Sequence, residues 1–350
     1  MTSPRFGRLT MRAVIEKFPL KEPFHITGHT MTESEVLLVE IEANGLVGRG
    51  EAAGVYYRKS DGPSQNAQLI ETVRGRVEAG IDRETLQTLL PPGGARNALD
   101  CALWDLEAKT TGNPAWRIAG LESPHSLLTT FTVGADHPEK MAHDARAHTE
   151  AKAIKLKLTG ASVDADRVLA VRSARPDVWL GVDANQGFTR ASLEALLPVL
   201  LQTRVQLIEQ PFKIGEDSLL DGLQAPIPIA ADESAQCIAD LPKLSGRFNV
   251  VNIKLDKCGG LTEALQMAHT AGQFGLDVMV GNMVGTSLAM APAFLVGQLC
   301  KVVDLDGPVF LSTDRPTAVT YEKGMISCPP AVWGSPGAPQ PGARSPTVLR

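Results

Sequence analysis

No stretch of this chain approaches the roughly 20 consecutive apolar residues that a membrane helix requires. Met1 to Phe18 carries no apolar segment long enough for export, so a cytoplasmic setting is expected. Cysteine is sparse. Cys101, Cys237, Cys258, Cys300 and Cys328 are widely separated and form no Cys-x-x-Cys pair, so they read as reduced thiols rather than a disulfide framework. Blocks of positive charge are missing as well: the net charge is −5 and the basic residues are scattered. That pattern argues against nucleic acid or an anionic membrane as the main partner. There is no phosphate-binding glycine loop and no dinucleotide fingerprint; the Gly-Gly pairs at 93–94 and 259–260 read as turns. None of the seven histidines forms the His-x-His pair of a zinc amidohydrolase.

What remains is an ordinary soluble composition, 43% hydrophobic and 21% charged, over 350 residues. That length suggests about two domains and allows a large core. Leu9–Leu20, Ser34–Ala43 and Leu46–Val55 read as antiparallel strands, the last two joined by an Asn44-Gly45 hairpin turn. Leu99, Ala102, Leu103 and Leu106 recur at helical spacing over Ala95–Lys109, and Gly112-Asn113-Pro114 stops the helix.

From about residue 125 the pattern changes to strands alternating with helices. The strand candidates are Leu127–Val133, Ala153–Leu158, Trp179–Asn185, Val205–Pro211, Ile227–Ser234, Phe248–Lys257, Asp277–Met283 and Val302–Leu311. Eight strands at about 25 residues per unit favour a closed parallel barrel over an open doubly wound sheet. Gly334–Arg350, rich in Pro, Gly, Ser and Ala, reads as an irregular tail.

In a barrel, polar residues at the C-terminal strand ends converge on one mouth. Lys157, Asp183, Glu209, Asp232 and Lys254 recur at intervals of 26, 26, 23 and 22 residues, and Asp304 follows after 50, or two further units. Asp183, Glu209 and Asp232 each follow an apolar run. One such carboxylate would simply cap the next helix. Three brought together would repel and raise one another's pKa, a conflict that a hard divalent cation such as Mg²⁺ removes.

Strand alternation points Lys155 and Lys157 to the same face, and Lys254 falls four units away in an eight-unit ring. It should therefore face Lys157 across the mouth, with the carboxylates between. A nearby cation would depress a lysine's pKa and free an amine base. Two opposed bases suit removal of a proton beside a carboxylate and its return from either side. A strand shifted in register would instead send both Lys155 and Lys157 to solvent.

These residues resemble the muconate-lactonizing subgroup of the enolase superfamily. The likeness rests on Lys155-Leu-Lys157, Val-Asp183-Ala-Asn-Gln, Ile-Glu209-Gln-Pro, Ala-Asp232-Glu-Ser and Asn-Ile-Lys254-Leu-Asp-Lys-Cys-Gly-Gly. It extends to Gly48-Arg-Gly-Glu51-Ala and Leu99-Asp-Cys-Ala-Leu-Trp-Asp-Leu, and so covers nearly the whole chain. The resemblance implies an α/β fold: a modified TIM barrel, (β/α)₇β, behind an N-terminal α+β capping domain. The expected layout is a cap over 1–120, a barrel over 121–315, and a segment over 316–350 that returns to the cap. It also implies Mg²⁺ on Asp183, Glu209 and Asp232, Lys157 and Lys254 as the acid/base pair, Lys155 supporting the substrate carboxylate, and a symmetric oligomer.

Asp304 and Asp306 separate the possible reactions. On one strand face they would lie about 7 Å apart and could clamp a substrate ammonium; as turn residues before Gly307-Pro308 they would do neither. The Asp-x-Asp resembles the signature of dipeptide epimerases, so the expected reaction is 1,1-proton transfer at the α-carbon of a dipeptide's C-terminal residue. N-acylamino acid racemisation, cycloisomerisation and o-succinylbenzoate synthesis stay open within the superfamily, as does a non-catalytic ligand-binding barrel descended from it. Side-chain specificity is expected from a loop at about 21–34, with Phe24, His29 and Met31 as candidate contacts. It carries no arginine to pair a glutamate side chain, although Lys21 or His29 could meet an acid. The stretch Gly281-Asn282-Met-Val-Gly285-Thr286 likewise lacks the acidic residue several relatives carry there.

Overall fold

A computed structural model describes residues 6–26 and 29–336. The N-terminal unit is an antiparallel sheet of β1 (Thr10–Ile26), β2 (His29–Ala43) and β3 (Leu46–Ala52). Asn44 (φ 52°) and Gly45 (φ 78°) are both left-handed, which makes the tight turn their sequence signals. Three helices follow, α1 (Pro63–Glu78), α2 (Arg83–Leu89) and α3 (Gly94–Thr111); the first and third pack on the sheet and the second on the third. The third is buried along residues 94–108 because it lies between two cores. Its Leu99, Ala102, Leu103 and Leu106 join the core of the cap, whereas Cys101, Trp104 and Ala108 join that of the barrel. The contact with β3 is close: a Cβ on Gly50 would fall 2.0 Å from the Ala98 carbonyl oxygen, so glycine is required.

After α4 (Ala115–Ile118) and β4 (Leu127–Leu128) comes an eight-stranded parallel sheet in strict sequence order. Its strands are β5 (Phe131–Val133), β6 (Ala153–Lys157), β7 (Trp179–Asp183), β8 (Leu207–Glu209), β9 (Ile229–Ala231), β10 (Val250–Ile253), β11 (Asp277–Val280) and β12 (Val302–Val303). The sheet curls until its edges meet, and the Thr130 amide donates to the Val303 carbonyl at 3.0 Å. The connecting helices are α5 (Pro138–Ala147), α6 (Asp164–Ala174), α7 (Arg190–Gln202), α8 (Leu241–Leu244), α9 (Leu255–Cys258), α10 (Leu261–Ala271) and α11 (Ser287–Gly297). The α12 turn (Gly307–Phe310) and a β13–β14 hairpin (Thr320–Glu322, Met325–Ser327) follow. Beyond them the chain touches the cap, where Trp333 Nε1 donates to the Arg49 carbonyl at 2.8 Å. The remainder of the tail lies outside the described residues.

Two expectations need correction. The segment expected as a specificity loop at about 21–34 is largely β-ribbon: Phe24 pairs with Met31 and His25 with Thr30, after a register shift between Pro19 and Phe24. The ribbon tolerates Pro19 and Pro23 because β1 is an edge strand. The last barrel strand is also shorter than Val302–Leu311, since it ends at Val303 and Gly307-Pro308 opens a helical turn.

Cap and barrel are latched through Glu51, which is buried at the end of β3. It accepts from the Thr286 amide (2.8 Å), from Thr286 Oγ1 (2.5 Å) and from Arg315 Nη2 (2.6 Å). A Glu51→Ala variant leaves the Thr286 amide and hydroxyl without their acceptor and Arg315 with Glu16 as its one remaining carboxylate. It is expected to lose about 1–3 kcal/mol of stability, read as a fall in denaturant midpoint; an unchanged midpoint would show the latch to be idle.

Candidate active site

The barrel interior has two layers. At the N-terminal ends of the strands Leu207, Ala230, Val250 and Met279 form an apolar plug, flanked by Trp179 and Val302. Two residues further along the same strand faces stand charged or polar groups: Glu209 above Leu207, Asp183 above Gly181, Asn252 and then Lys254 above Val250. Register puts Lys157 beside Asp183 and Asp183 beside Glu209. Asp232 lies just past β9. Asp183, Glu209 and Asp232 are fully or almost fully buried, and one oxygen from each lies within 4.8 Å of the others.

Such a cluster is electrostatically unhappy by itself. Burial and the neighbouring Asp183 push Glu209 up to about 7. Asp232 goes the other way: burial would raise it, but Lys254 and Lys257 together hold it well below the carboxylate range. Three hard, mutually repelling oxygen donors in a buried ring fit a divalent cation such as Mg²⁺. Several buried acceptors around them are also unpartnered, among them Asn185 Oδ1, Asn252 Oδ1 and Glu233 Oε2.

All three strand lysines point inward and are buried, so the register-shifted alternative falls. Lys157 Nζ donates to Asp183 Oδ2 at 2.6 Å, and Lys254 Nζ to Asp232 Oδ2 at 2.7 Å. Lys155 Nζ reaches Glu209 Oε2 at 3.2 Å and pairs closely with Asp304. Lys157 rises from β6 and Lys254 follows β10, four strands apart in the ring of eight. They are on opposite walls. Burial would lower the pKa of Lys254, but Asp232 and Glu209 outweigh it and hold the ammonium well above the usual lysine value. The depressed lysine expected from sequence is therefore not what the bare carboxylates produce; it requires added positive charge among them.

Asp304 is joined to the carboxylate ring through Lys155 and Asp306 is buried behind it; neither lines the active-site cavity, and they are not alternating residues of one strand. Asp304 accepts from Thr130 Oγ1 and from Lys155, while Asp306 Oδ2 accepts from the Thr132 amide at 2.7 Å. Burial and the neighbouring Asp304 carboxylate push Asp306 up to about 6. Asn282 Nδ2 donates to the Asp304 carbonyl oxygen at 2.7 Å and fixes this turn.

A cavity of about 400 Å³ opens over these groups, with Lys157, Lys254 and Asn185 on its floor. Phe24, Met31, Met283 and Val284 wall one side. Phe24 is seated on Phe310, ring centroids 4.6 Å apart. Lys21 does not line this cavity, since its ammonium donates to the Val309 carbonyl at 2.8 Å. The His29 side chain lies outside the described residues.

Residues 8–120 match the N-terminal domain of the mandelate racemase / muconate lactonizing enzyme family, and residues 139–334 match the enolase C-terminal domain-like family. The chain belongs to the enolase superfamily. Its relatives include an L-Ala-D/L-Glu epimerase of Escherichia coli (strain K12), 38% identical over 319 residues, covering 91% of this chain and 99% of the relative. An N-acetyl-D-glutamate racemase of a Pseudoalteromonas species is 44% identical over 255 residues, 73% of this chain and 80% of that one. The structure of a dipeptide epimerase from Methylococcus capsulatus, complexed with Mg and the dipeptide L-Arg-D-Lys, superposes with a TM-score of 0.86 at 30% identity. That match covers 94% of this chain and 98% of the other.

Within this superfamily site, sequence reasoning overlooked the groups that hold the ring in place. Lys257, fully buried, donates to Asp232 Oδ1 at 2.5 Å and to the Asp232 carbonyl at 2.6 Å. Asn252 Nδ2 donates to Glu209 Oε1 at 2.6 Å. Gln210 Oε1 accepts from the amides of Asp232 and Ser234, at 2.9 and 3.0 Å. Asn252 could have been found: it lies two residues before Lys254 and so shares its strand face. Gly281 answers the missing acid of that stretch in part. A Cβ there would fall 2.9 Å from Lys254 Cε, so the glycine makes room for the lysine.

Proposed function

We propose that the protein is a Mg²⁺-dependent dipeptide epimerase that moves a proton at the α-carbon of the C-terminal residue. The observation that carries this reading is the placement of Lys157 and Lys254 on opposite barrel walls, with Asp183, Glu209 and Asp232 between them. Asp183, Glu209 and Asp232 would hold Mg²⁺, which would supply positive charge to the substrate carboxylate, where negative charge builds as the α-proton leaves. One lysine removes the α-proton and the other returns a proton to the opposite face. Lys155, held by Glu209 and Asp304, adds positive charge beside the substrate carboxylate. Asp304 and Asp306 take the free N-terminus, and their charge disfavours the more anionic substrates of cycloisomerases and o-succinylbenzoate synthases.

N-acylamino acid racemisation is the second reading, favoured by the Pseudoalteromonas relative. The two readings part at Asp306. Asp306→Asn keeps the acceptor for the Thr132 amide but removes the charge. KM for a free-amine dipeptide should then rise roughly 10–100-fold, the worth of a charge-assisted hydrogen bond. An unchanged KM would remove Asp306 from amine recognition.

The relatives differ in the side chains they accept, and here Phe24 and Met31 favour an apolar or mixed side chain. The deciding panel therefore spans L-Ala-L-Glu, L-Arg-L-Lys and apolar L,L-dipeptides, followed by proton NMR in D₂O with and without Mg²⁺. Mg²⁺-dependent loss of one C-terminal α-proton signal with appearance of a diastereomer supports the reading. Exchange on N-acylamino acids alone would replace it with the second. Five free cysteines support a cytoplasmic setting. A symmetric oligomer belongs to the same reading and rests on the family alone.

A further inference from the structure

Four buried side-chain oxygens lack a hydrogen-bond partner among the described residues. Gln87 Oε1 belongs to α2, in the cap. Asn252 stands alone among them: its Nδ2 is held by Glu209, and its Oδ1 faces Gly281, where an added Cβ would fall 2.7 Å away. The other two stand together. Asn185 comes two residues after Asp183, and its backbone amide donates to Asp183 Oδ1 at 2.8 Å. Glu233 directly follows Asp232. Asn185 Nδ2 donates to Glu233 Oε1 at 3.3 Å, which fixes the orientation of the amide and leaves Asn185 Oδ1 and Glu233 Oε2 as open acceptors. Both residues are more than nine-tenths buried, and Asn185 lines the active-site cavity.

An unpaired buried carboxylate oxygen is costly, and two open acceptors in one bonded pair are more so. Glu233 does not belong to the ring of three whose oxygens approach within 4.8 Å, so it is no fourth ligand of that ring. Mg²⁺ takes about six oxygens in near-octahedral array and sheds water reluctantly. Three carboxylates provide three, and a substrate carboxylate provides at most two. At least one position is left for water. A metal-bound water is a strong double donor, and its two hydrogens need two acceptors.

We propose that Asn185 and Glu233 form an outer clamp for the metal, each accepting one hydrogen from a Mg²⁺-bound water. The proposal rests on the reading of Asp183, Glu209 and Asp232 as the Mg²⁺ site. Asn185 and Glu233 are positioning residues: they tether the ion through its water and touch no reacting atom. The pair explains why the side chains of two residues so near the ligands in sequence bond to each other.

Calorimetric titration of Mg²⁺ alone into the substrate-free protein tests this without recourse to activity. Asn185→Leu and Glu233→Met, checked for folding by circular dichroism, should weaken Mg²⁺ binding roughly 10–100-fold. Asn185→Asp and Glu233→Gln keep an acceptor and should stay within a few-fold of the wild type. Equal affinity in the apolar and conservative variants would overturn the clamp, as would equal loss in both. If the apolar variants do not fold, Mn²⁺-loaded wild-type protein at saturating dipeptide decides by proton ENDOR. Exchangeable water protons at the metal support the clamp, and their absence overturns it. A wild-type protein that binds no Mg²⁺ would overturn the metal site as well, whereas wild-type binding with unaffected variants defeats only the clamp.

Discussion

Lys157→Ala and Lys254→Ala are each expected to abolish epimerisation, with losses of at least roughly 10²–10⁴-fold. The two variants should differ in what they retain. Each lysine faces one side of the α-carbon, so the base that remains can still exchange the proton of one diastereomer. In D₂O, Lys157→Ala and Lys254→Ala should therefore wash deuterium into opposite diastereomers without interconverting them. Of the four buried lysines around the ring, Lys157 and Lys254 line the cavity, whereas Lys155 and Lys257 are held behind it by Asp304 and Asp232, so neither is placed to stand in. Full epimerisation by either variant would remove that lysine from the acid/base pair.

The second large effect concerns the carboxylate ring, where activity and stability should move apart. Glu209→Gln removes one of three like charges from a buried cluster in which burial and Asp183 already push Glu209 up to about 7. The metal-free variant should thus be more stable than metal-free wild type, by the order of 1 kcal/mol. Saturating Mg²⁺ should reverse the ranking. At a hundred times its Kd the ion stabilises a protein that binds it by about 2.7 kcal/mol, a gain the variant should largely forgo together with its activity. Melting curves with EDTA and with Mg²⁺ read both halves. A variant less stable than wild type without metal, yet equally stabilised by Mg²⁺, would mean that Glu209 is structural rather than a ligand.

Much of this site was legible because a barrel converts sequence interval into angle. Lys157, Asp183, Glu209, Asp232 and Lys254 each interrupt an apolar strand once per unit, and the fold carries each to the same rim. The hairpin at Asn44-Gly45 and the helix ending at Gly112 were equally plain, since turn chemistry is local. What was misread depends on neighbours distant in sequence. The strand at Val302 was drawn too long because Asp304-Leu-Asp306 alternates like a strand. Its backbone instead turns to let Asp304 meet Thr130 and Lys155 and Asp306 meet Thr132. The ribbon at 21–34 was hidden by Pro19 and Pro23, which a one-sided edge strand can accept. Lys257 closes the expected strand Phe248–Lys257, but the chain turns helical at Leu255 and brings its ammonium against Asp232, a contact 25 residues away in sequence.

The central claim, that two lysines serve opposite faces of one α-carbon, is tested most directly by where the label goes first. Wild-type protein with Mg²⁺ and a single L,L-dipeptide in D₂O can be followed by proton NMR over the first tenth of turnover. The two-base arrangement predicts that the first L,D product carries deuterium at its C-terminal α-carbon, delivered by the lysine that took no proton from the substrate. A first product that retains the substrate's own proton would mean that a single base serves both faces, and would contradict the account.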